Sequence, residues 1–276
     1  MARPVSVDLH VHSTFSDGRL SPDELAALAG KHNVVALAIT DHDTMSGVPE
    51  KLAACGRHGI ECVIGVELSC ELGGREVHIL SLFAEPDSPA VEKIGELSSS
   101  RCSRMEAMLA KLSRLDIHLS MKDLAVGDDG VYGRPHLARA MVAKGVVKSV
   151  NEAFARYLYD SGPVHIAKTR LGAREGISLA KDLGGVAVLA HPGVSGLLGE
   201  LDTLLDMGLD GVEVYHPKHG GETIARLLRY CRERGALVSG GSDFHSPGDG
   251  PDIGAARVPV EVLAPLRELA EKRKGR

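Results

Sequence analysis

The sequence has no tryptophan, and aromatic residues make up only 3% of its 276 positions. Since 43% of the residues are hydrophobic, a substantial core is expected, built from aliphatic side chains. That composition suits a buried parallel sheet flanked by helices. The length fits one large domain, or one domain with an insertion.

Long apolar runs, a leader segment and paired cysteines are also missing. No run of eighteen apolar residues predicts a membrane span, and the N-terminus lacks the basic-then-apolar pattern of a signal peptide. The five cysteines form no CxxC pair, which indicates reduced thiols in a cytoplasmic protein. The net charge of −5 argues against binding to long nucleic acid. It does not exclude a small anionic substrate, because a local metal charge can override the global sign.

What the sequence does contain is an alternation of strand-like and helix-like segments. Short apolar runs predict seven strands, over 5–11, 34–40, 62–68, 76–83, 186–190, 211–215 and 236–240. Helices are predicted over 22–31, 47–58, 173–183, 197–207 and 221–234. Gly73 and Gly74 separate the third and fourth strands and predict a hairpin there. The alternation indicates an α/β fold, either a barrel or a doubly wound sheet.

Residues 99–168 interrupt this alternation, because they hold three helix-like stretches and no comparable buried strand. We interpret them as a small helical insertion that forms part of the substrate site. The alternative interpretation is a long connection between a strand and a helix, which differs only in scale. The main domain then consists of residues 1–98 and 169–276.

Histidines and acidic residues gather at the ends of the predicted strands. They are Asp41, His42, Glu67, His78, His191, His216, Asp243 and His245. Because the carboxyl ends of parallel strands open on one face of such a fold, these residues can converge in one pocket.

The first strand adds two histidines to this set. Asp8, His10 and His12 alternate with Val7, Leu9 and Val11, so we expect the polar residues to face the site and the apolar ones to face the helices. Of the three polar residues, His10 and His12 are expected to bind metal and Asp8 to support them from behind.

This combination of imidazoles and carboxylates predicts a site for several metal ions. Taken singly, each residue fits a simpler structural role, such as a turn or a helix cap. Glu67 is harder to account for in that way, because a buried carboxylate needs a partner or a metal. A set without cysteine indicates Mn²⁺, Fe²⁺ or Zn²⁺. Neither GxSxG nor CxxxxxR occurs in the sequence, and multi-metal catalysis needs no nucleophilic side chain.

The motifs DLHVHSxxSDG, TDHD, GVE, AHP and GSDFH occur in this order between residues 8 and 245. This pattern resembles the PHP (polymerase and histidinol phosphatase) superfamily. The resemblance implies a distorted (β/α)7 barrel with three metal ions, one carboxylate, Glu67, bridging two of them. The implied ligands are His10, His12, Asp17, His42, Glu67, His78, His191, Asp243 and His245.

The insertion and the segment GRPHLA (133–138) look like one bacterial branch of that superfamily. The branch contains 3′,5′-nucleoside bisphosphate phosphatases and 5′–3′ exoribonucleases that act on short RNA. Candidate substrate contacts are Arg134, His136, Lys168 and His216. Arg134 is a fork-shaped donor suited to phosphate, although Arg134 and Pro135 also suit an ordinary helix start.

The resemblance therefore implies a phosphoesterase that hydrolyses the 3′-phosphate of nucleoside 3′,5′-bisphosphates. The expected reaction is attack by a metal-bridging hydroxide, with Mn²⁺ as the first choice of ion and Zn²⁺ or Fe²⁺ as alternatives. The expected partner is a small phosphorylated nucleotide or a short oligonucleotide, with no membrane and no obligate protein partner.

Four alternatives stay open at this point. They are a histidinol-phosphate phosphatase, a 5′–3′ exonuclease on short 5′-phosphorylated RNA, a metal-binding module without turnover, and an amidohydrolase. The complete ligand set argues against the inactive module. The low aromatic content weakens a nuclease for long strands, since single strands usually stack on aromatic side chains. The absence of a strand-end lysine that could be carboxylated argues against an amidohydrolase.

Overall fold

The computed structural model describes residues 5–126 and 130–275. The strands are β1 (Ser6–Val11), β2 (Val34–Ile39), β3 (Glu61–Leu72), β4 (Arg75–Leu82), β5 (Leu171–Gly172), β6 (Val186–Leu189), β7 (Gly211–Tyr215) and β8 (Leu237–Gly240). The helices are α1 (Pro22–Lys31), α2 (Val48–Arg57), α3 (Val91–Ser113), α4 (Arg134–Ala143), α5 (Val150–Ala153), α6 (Ala173–Asp182), α7 (Leu201–Asp206), α8 (Gly221–Arg234) and α9 (Leu263–Lys274). Short turns of other helix types lie at Met121–Asp123, Phe154–Leu158 and Val260–Val262.

The strands form one mixed sheet in the order β1-β2-β3-β4-β6-β7-β8, with β5 paired to β3. The α/β class and the seven predicted strands are confirmed; β5 has two residues, too few for a periodic signal. The hairpin between β3 and β4 is antiparallel as predicted. β4 is also antiparallel to β6, so it runs against both of its neighbours.

The barrel is not closed by a continuous ladder between β1 and β8 in the described part of the chain. Single backbone bonds close this seam instead: Asp243 donates to the His10 carbonyl and His12 donates to the Phe244 carbonyl, both at 2.9 Å. Gly241 lies at the same seam, where an added Cβ would lie 2.3 Å from the Cβ of His10. The segment after β8 is therefore held against the strand that carries two predicted ligands.

β1 does not keep the strict alternation expected of it. Its register against β2 shifts between Asp8 and Val11, which is where an extra residue changes the face on which side chains lie. Val7 and Leu9 pack inside the barrel with Leu80 and against α9, and only Val11 packs against α1. The expectation that Val7 and Leu9 face the outer helices is therefore wrong.

Asp8 departs only in part from the expected arrangement. Its two carboxylate oxygens accept hydrogen bonds from the backbone nitrogens of Ser242 and Gly254, each at 2.8 Å. Burial is the largest influence on its carboxyl group and raises the pKa of Asp8 to about 6. Asp8 therefore fastens the seam and lies outside the ligand cluster. Its Oδ1 also accepts a hydrogen bond from the backbone nitrogen of His10 at 3.4 Å, which agrees with the expected supporting role.

α3 connects the barrel to the predicted insertion. Its first half packs into the barrel core through Ile94 and Leu97, and its second half packs into a separate cluster through Met105 and Met108. The predicted boundary between residues 98 and 99 lies inside this helix. No helix within the described residues is both long and apolar enough to cross a membrane.

The close approach at the seam generates a stability prediction. We expect Gly241→Ala to lower the free energy of unfolding by about 1–3 kcal/mol, because the new methyl group overlaps His10. Gly95→Ala is the matched control, since it lies on the exposed side of α3 with nothing within 4 Å of an added Cβ. It should raise stability by up to about 1 kcal/mol. Urea unfolding of metal-free protein measures both, and equal stabilities for the two variants would contradict the packing argument.

Candidate metal centre

The centre of the site is the carboxylate of Glu67 on β3, which is fully buried. Five imidazole nitrogens lie 2.8–3.3 Å from its two oxygens, those of His10, His12, His42, His78 and His191. These histidines come from β1, β4 and the segments after β2 and β6, so the barrel brings together residues that are distant in sequence. Glu67 would therefore offer an oxygen to more than one ion, since it belongs to two of the groups that could hold one.

Two further carboxylates complete the cluster. Asp243 Oδ1 lies 3.4 Å from His12 Nε2 and 3.6 Å from His10 Nε2. Asp17 Oδ1 lies 3.4 Å from His245 Nε2 and 3.9 Å from His42 Nε2. The structure therefore brings all nine predicted ligands into one cluster.

The donor atoms of this cluster fit metal ions. Several buried side-chain atoms there have no hydrogen-bond partner: His10 Nε2, His12 Nε2, Asp17 Oδ1, His42 Nδ1, Glu67 Oε2 and His78 Nδ1. Buried polar atoms normally find a partner, and a cation would satisfy these. The cluster contains three groups of residues whose ligand atoms lie within 4.8 Å of one another, as one metal ion would require. They are His12, Asp17, His42 and His245; His10, His12 and Glu67; and His42, Glu67 and His78.

The shifted pKa values of the cluster also indicate a site that suits cations. Burial favours the neutral form of Glu67, but His42, His78 and His10 outweigh it and hold its pKa well below the usual value. Burial opposes charge on His78 as well, yet Glu67 raises the pKa of His78 to about 9. The same balance, with Asp17 as the partner, raises the pKa of His245 to about 9. Protons on these imidazoles therefore supply positive charge that metal ions would otherwise supply.

His42 differs from these two histidines. Burial is the largest influence on its ring and lowers the pKa of His42 to about 4. Burial therefore opposes a proton on this ring more strongly than Glu67 and Asp17 favour one.

Two buried carboxylates, Glu213 and Asp41, lie next to the cluster and contact its residues or the loop that follows β1. Glu213 Oε1 lies 3.0 Å from His10 Nδ1, and the charge of His10 lowers the pKa of Glu213 although burial opposes this. Asp41 accepts hydrogen bonds from the backbone and hydroxyl of Ser13 and pairs with Lys51 at 2.7 Å. Sequence reasoning missed Glu213, although a carboxylate inside the apolar segment GVEVY is the same signal that identified Glu67.

A cavity of about 490 Å³ opens beside the cluster. Asp17, His42 and His78 line one side, and five cationic residues among the described part of the chain line the other: Arg101, Arg104, Arg134, Lys168 and Arg170. The sequence analysis named only Arg134 and Lys168 of these five. The others lie on α3 or next to β5, where arginines read as ordinary surface residues.

Fixed contacts hold the cations at this wall. Asp43, which has a left-handed backbone at φ +49°, pairs with Arg101 at 2.6 Å. Ser69 Oγ accepts hydrogen bonds from both Arg101 and Lys168. Burial is the main cause that lowers the pKa of Lys168 to about 8, and the nearby Arg101 adds to it.

Arg104 and Arg134 occupy the remaining part of the wall. Burial, followed by the charges of Arg134 and Arg101, lowers the pKa of Arg104 to about 10. Arg134 donates to the Leu158 carbonyl and pairs with Asp160 at 2.8 Å. Three carboxylates, Glu71, Glu76 and Asp160, also line this part of the cavity. The five cations outnumber them, so the wall keeps a net positive charge that suits an anionic ligand.

The structure places the other two predicted substrate contacts elsewhere. His136 Nδ1 accepts a hydrogen bond from the Gly133 nitrogen at 3.0 Å, and its side chain lines a separate pocket with Arg139. The side chain of His216 is fully buried, with Nε2 4.0 Å from Asp243 Oδ2. Neither of these two histidines lines the cavity that Arg134 and Lys168 line.

The sequence profile of the PHP domain matches residues 8–236. The chain belongs to the PHP domain family. It is 32% identical to a 3′,5′-nucleoside bisphosphate phosphatase from Chromobacterium violaceum, over 96% of each chain. It is also 32% identical to a 5′-3′ exoribonuclease from Haemophilus influenzae, over 95% of this chain and 97% of the relative. A crystal structure from Bifidobacterium adolescentis, assigned as a metal-dependent phosphoesterase, superposes with a TM-score of 0.87 at 29% identity, over 98% of each chain.

The raised pKa values predict that metal binding to this PHP domain depends on pH. Below about pH 9 the imidazoles of His78 and His245 carry protons in the metal-free protein, and these protons must leave before the rings bind an ion. Metal affinity should therefore rise as the pH rises from 6.5 towards 9. Calorimetry in two buffers of different ionisation enthalpy measures the protons released, and an affinity that stays constant over this range would contradict the prediction.

Proposed function

We propose that the protein removes the 3′-phosphate from nucleoside 3′,5′-bisphosphates, giving a nucleoside 5′-monophosphate and phosphate. The observation that carries this proposal is that one cavity joins two anion-binding features, the ligand cluster and the wall of five cations. A substrate that fills both features needs two phosphate groups, as a nucleoside 3′,5′-bisphosphate has. The likeness to the Chromobacterium violaceum phosphatase supports this assignment.

The size of the cavity is consistent with such a substrate. Its volume of about 490 Å³ lies within the range of about 300–1,000 Å³ that is typical of small-molecule sites. We propose that Arg134, Arg104 and Lys168 hold the 5′-phosphate, since arginine and lysine bind phosphate through charge-assisted hydrogen bonds. The 3′-phosphate then lies on the side of Asp17, His42 and His78.

The chemistry divides between the metal ions and the side chains. Bound ions polarise a phosphoryl oxygen and activate water near neutral pH. Glu67, Asp17, Asp243 and the six ligand histidines hold the ions, and the cationic wall orients the substrate and stabilises developing negative charge. We propose three ions, with Mn²⁺ as the first choice and Zn²⁺ or Fe²⁺ as alternatives, because the donors are imidazole and carboxylate.

We further propose that residues 99–168 act as a subdomain that completes the substrate site. Four of the five cationic cavity residues come from this segment and support this role: Arg101, Arg104, Arg134 and Lys168. Its separate apolar cluster supports it as well.

The 5′–3′ exonuclease activity on short RNA is a second candidate. The likeness to the Haemophilus influenzae exoribonuclease favours it. If the cationic wall holds the 5′-phosphate of the terminal nucleotide, the bond at the metal ions is again the one between the 3′-oxygen and phosphorus. The two activities then differ only in what is attached beyond that phosphorus atom.

Histidinol phosphate fits the cavity less well. Its amino group is cationic, and among the described lining residues the five cationic side chains of the wall outnumber the carboxylates of Glu71, Glu76 and Asp160. Like charges in a partly buried cavity repel each other, so this substrate is disfavoured.

We also propose a cytoplasmic location and no obligate protein partner. All five cysteines are free thiols in the structure, and three of them are buried. Unpaired cysteines are typical of reducing compartments. The substrate is then a small nucleotide or short oligonucleotide of that compartment.

The substrate assignment can be tested with a panel of phosphoesters. Mn²⁺-loaded protein is assayed for phosphate release from adenosine 3′,5′-bisphosphate, histidinol phosphate and simple nucleotides, and for cleavage of short 5′-phosphorylated RNA. We expect the highest kcat/KM with the bisphosphate. A preference for histidinol phosphate would refute the substrate, and no turnover with confirmed metal content would refute the phosphoesterase itself.

The role of the cationic wall predicts a selective effect of Arg134→Ala. Loss of a charged hydrogen bond should raise the KM for the bisphosphate about 10- to 100-fold. The use of p-nitrophenyl phosphate, which has no second phosphate, should stay unchanged. Arg229→Ala is the control, because Arg229 is exposed on α8. Equal effects of Arg134→Ala on both substrates would show that Arg134 does not read the 5′-phosphate.

A further inference from the structure

Glu213 lies on β7 and has no solvent exposure, yet it is not one of the nine predicted ligands. Its two oxygens have different partners. Oε1 lies 3.0 Å from His10 Nδ1 on β1, and Oε2 accepts a hydrogen bond from the backbone nitrogen of His191 at 2.6 Å. One carboxylate therefore contacts two ligand residues that come from opposite sides of β7.

The contact with His10 decides which ring nitrogen carries the proton. An ionised carboxylate only accepts hydrogen bonds, so Nδ1 of His10 is the donor. The neutral ring then has its lone pair on Nε2, which is buried without a hydrogen-bond partner and lies 3.2 Å from Glu67 Oε2. By accepting the hydrogen bond from Nδ1, Glu213 thus leaves Nε2 of His10 as the nitrogen that can bind an ion.

Other ligand histidines have the same arrangement on their outer nitrogens. His78 Nε2 faces Glu76 Oε1 at 3.4 Å, and His245 Nδ1 faces the Asp243 carbonyl at 2.9 Å. Both partners are acceptors, so the nitrogen facing the cluster carries the lone pair. An acceptor at the outer nitrogen is typical of metal-bound histidine.

His216 has the opposite arrangement. Its Nδ1 accepts a hydrogen bond from the backbone nitrogen of Lys218 at 3.1 Å, so in the neutral ring the proton is on Nε2. That nitrogen faces the cluster and has no lone pair to offer. The outer partners therefore distinguish three ligand histidines, His10, His78 and His245, from His216, a seventh histidine beside the six in the ligand set.

The second oxygen of Glu213 acts on the backbone. His191 has a left-handed backbone at φ +32°, which is uncommon for a residue with a side chain. Its backbone N–H is bound by Glu213, and its Nε2 lies 3.3 Å from Glu67 Oε1. The carboxylate therefore helps to keep His191 in the conformation that directs its ring to the cluster.

We propose that Glu213 is the positioning residue of the metal centre: it fixes the tautomer of His10 and the backbone of His191 together. Both partners are N–H donors, so both side-chain oxygens must be acceptors. Glutamine has the same shape but only one acceptor oxygen, and its amide NH₂ would face one of the two donors. This inference concerns the metal centre and does not depend on which phosphoester is the substrate.

The variant Glu213→Gln tests the proposal by metal binding alone. Titration of metal-free protein with Mn²⁺ should show at least one site weakened about 10- to 100-fold, as is usual when the partner of a ligand histidine is lost. The matched control is Asp210→Asn. Asp210 also accepts a backbone hydrogen bond, from Ala187 at 2.8 Å, and pairs with Arg273, but it lies away from the cluster. Its replacement should leave metal affinity unchanged.

A spectroscopic measurement on the wild-type protein makes the test independent of variant folding. Long-range ¹H–¹⁵N correlation on histidine-labelled protein loaded with Zn²⁺, a diamagnetic ion, reports which ring nitrogen of His10 keeps a proton after the other has bound the ion. A signal assigned with a His10→Gln variant should show protonated Nδ1 in the wild type. A ring protonated at Nε2 alone would overturn the proposal, as would a folded Glu213→Gln protein with wild-type metal affinity. Failure of the substrate panel would leave both measurements unaffected.

Discussion

Glu67 is a charged carboxylate with no access to water, and five imidazole nitrogens lie within 3.3 Å of its oxygens. Such a group is stable only where positive charge surrounds it. The fold provides that surrounding charge by aligning strand ends. β3, which carries Glu67, pairs with β2, β4 and β5, so the position of the carboxylate is fixed from several directions. The histidines around Glu67 compensate its charge. The hydrogen bonds at the seam between β1 and β8 keep His10 and His12 beside it.

The ligand set could be predicted from the sequence because it follows from topology. Residues at the ends of parallel strands meet at one edge whatever the details of packing. The family resemblance then gave each residue a role, and the structure brings His10, Glu67, His191 and Asp243 together accordingly. The hairpin at Gly73 was predictable as well, since a pair of glycines between two apolar runs is typical of a tight turn that joins two strands.

Features that depend on local irregularity could not be predicted in the same way. The register shift in β1 places Leu9 in the barrel interior and Asp8 at the seam, and a period-two pattern contains no signal for an extra residue. Arg101 and Arg104 follow the helical period of α3, so their place in the cavity appears only in the folded chain, where Arg101 meets Asp43 and Arg104 donates to the Ile166 carbonyl. His136 was expected among the substrate contacts, yet its ring nitrogen binds the start of α4.

The continuity of α3 has a consequence for recognition. One rigid rod belongs to the barrel core through Leu97 and to the second core through Met105, and Arg101 lies between them, clamped to Asp43. The two wall residues on α3, Arg101 and Arg104, are therefore tied to the barrel that carries the candidate ligands. Two anchor points at a constant separation act as a molecular ruler. Under the proposed function, such a spacing would select substrates by the distance between their two phosphates, and the sugar that joins them sets that distance.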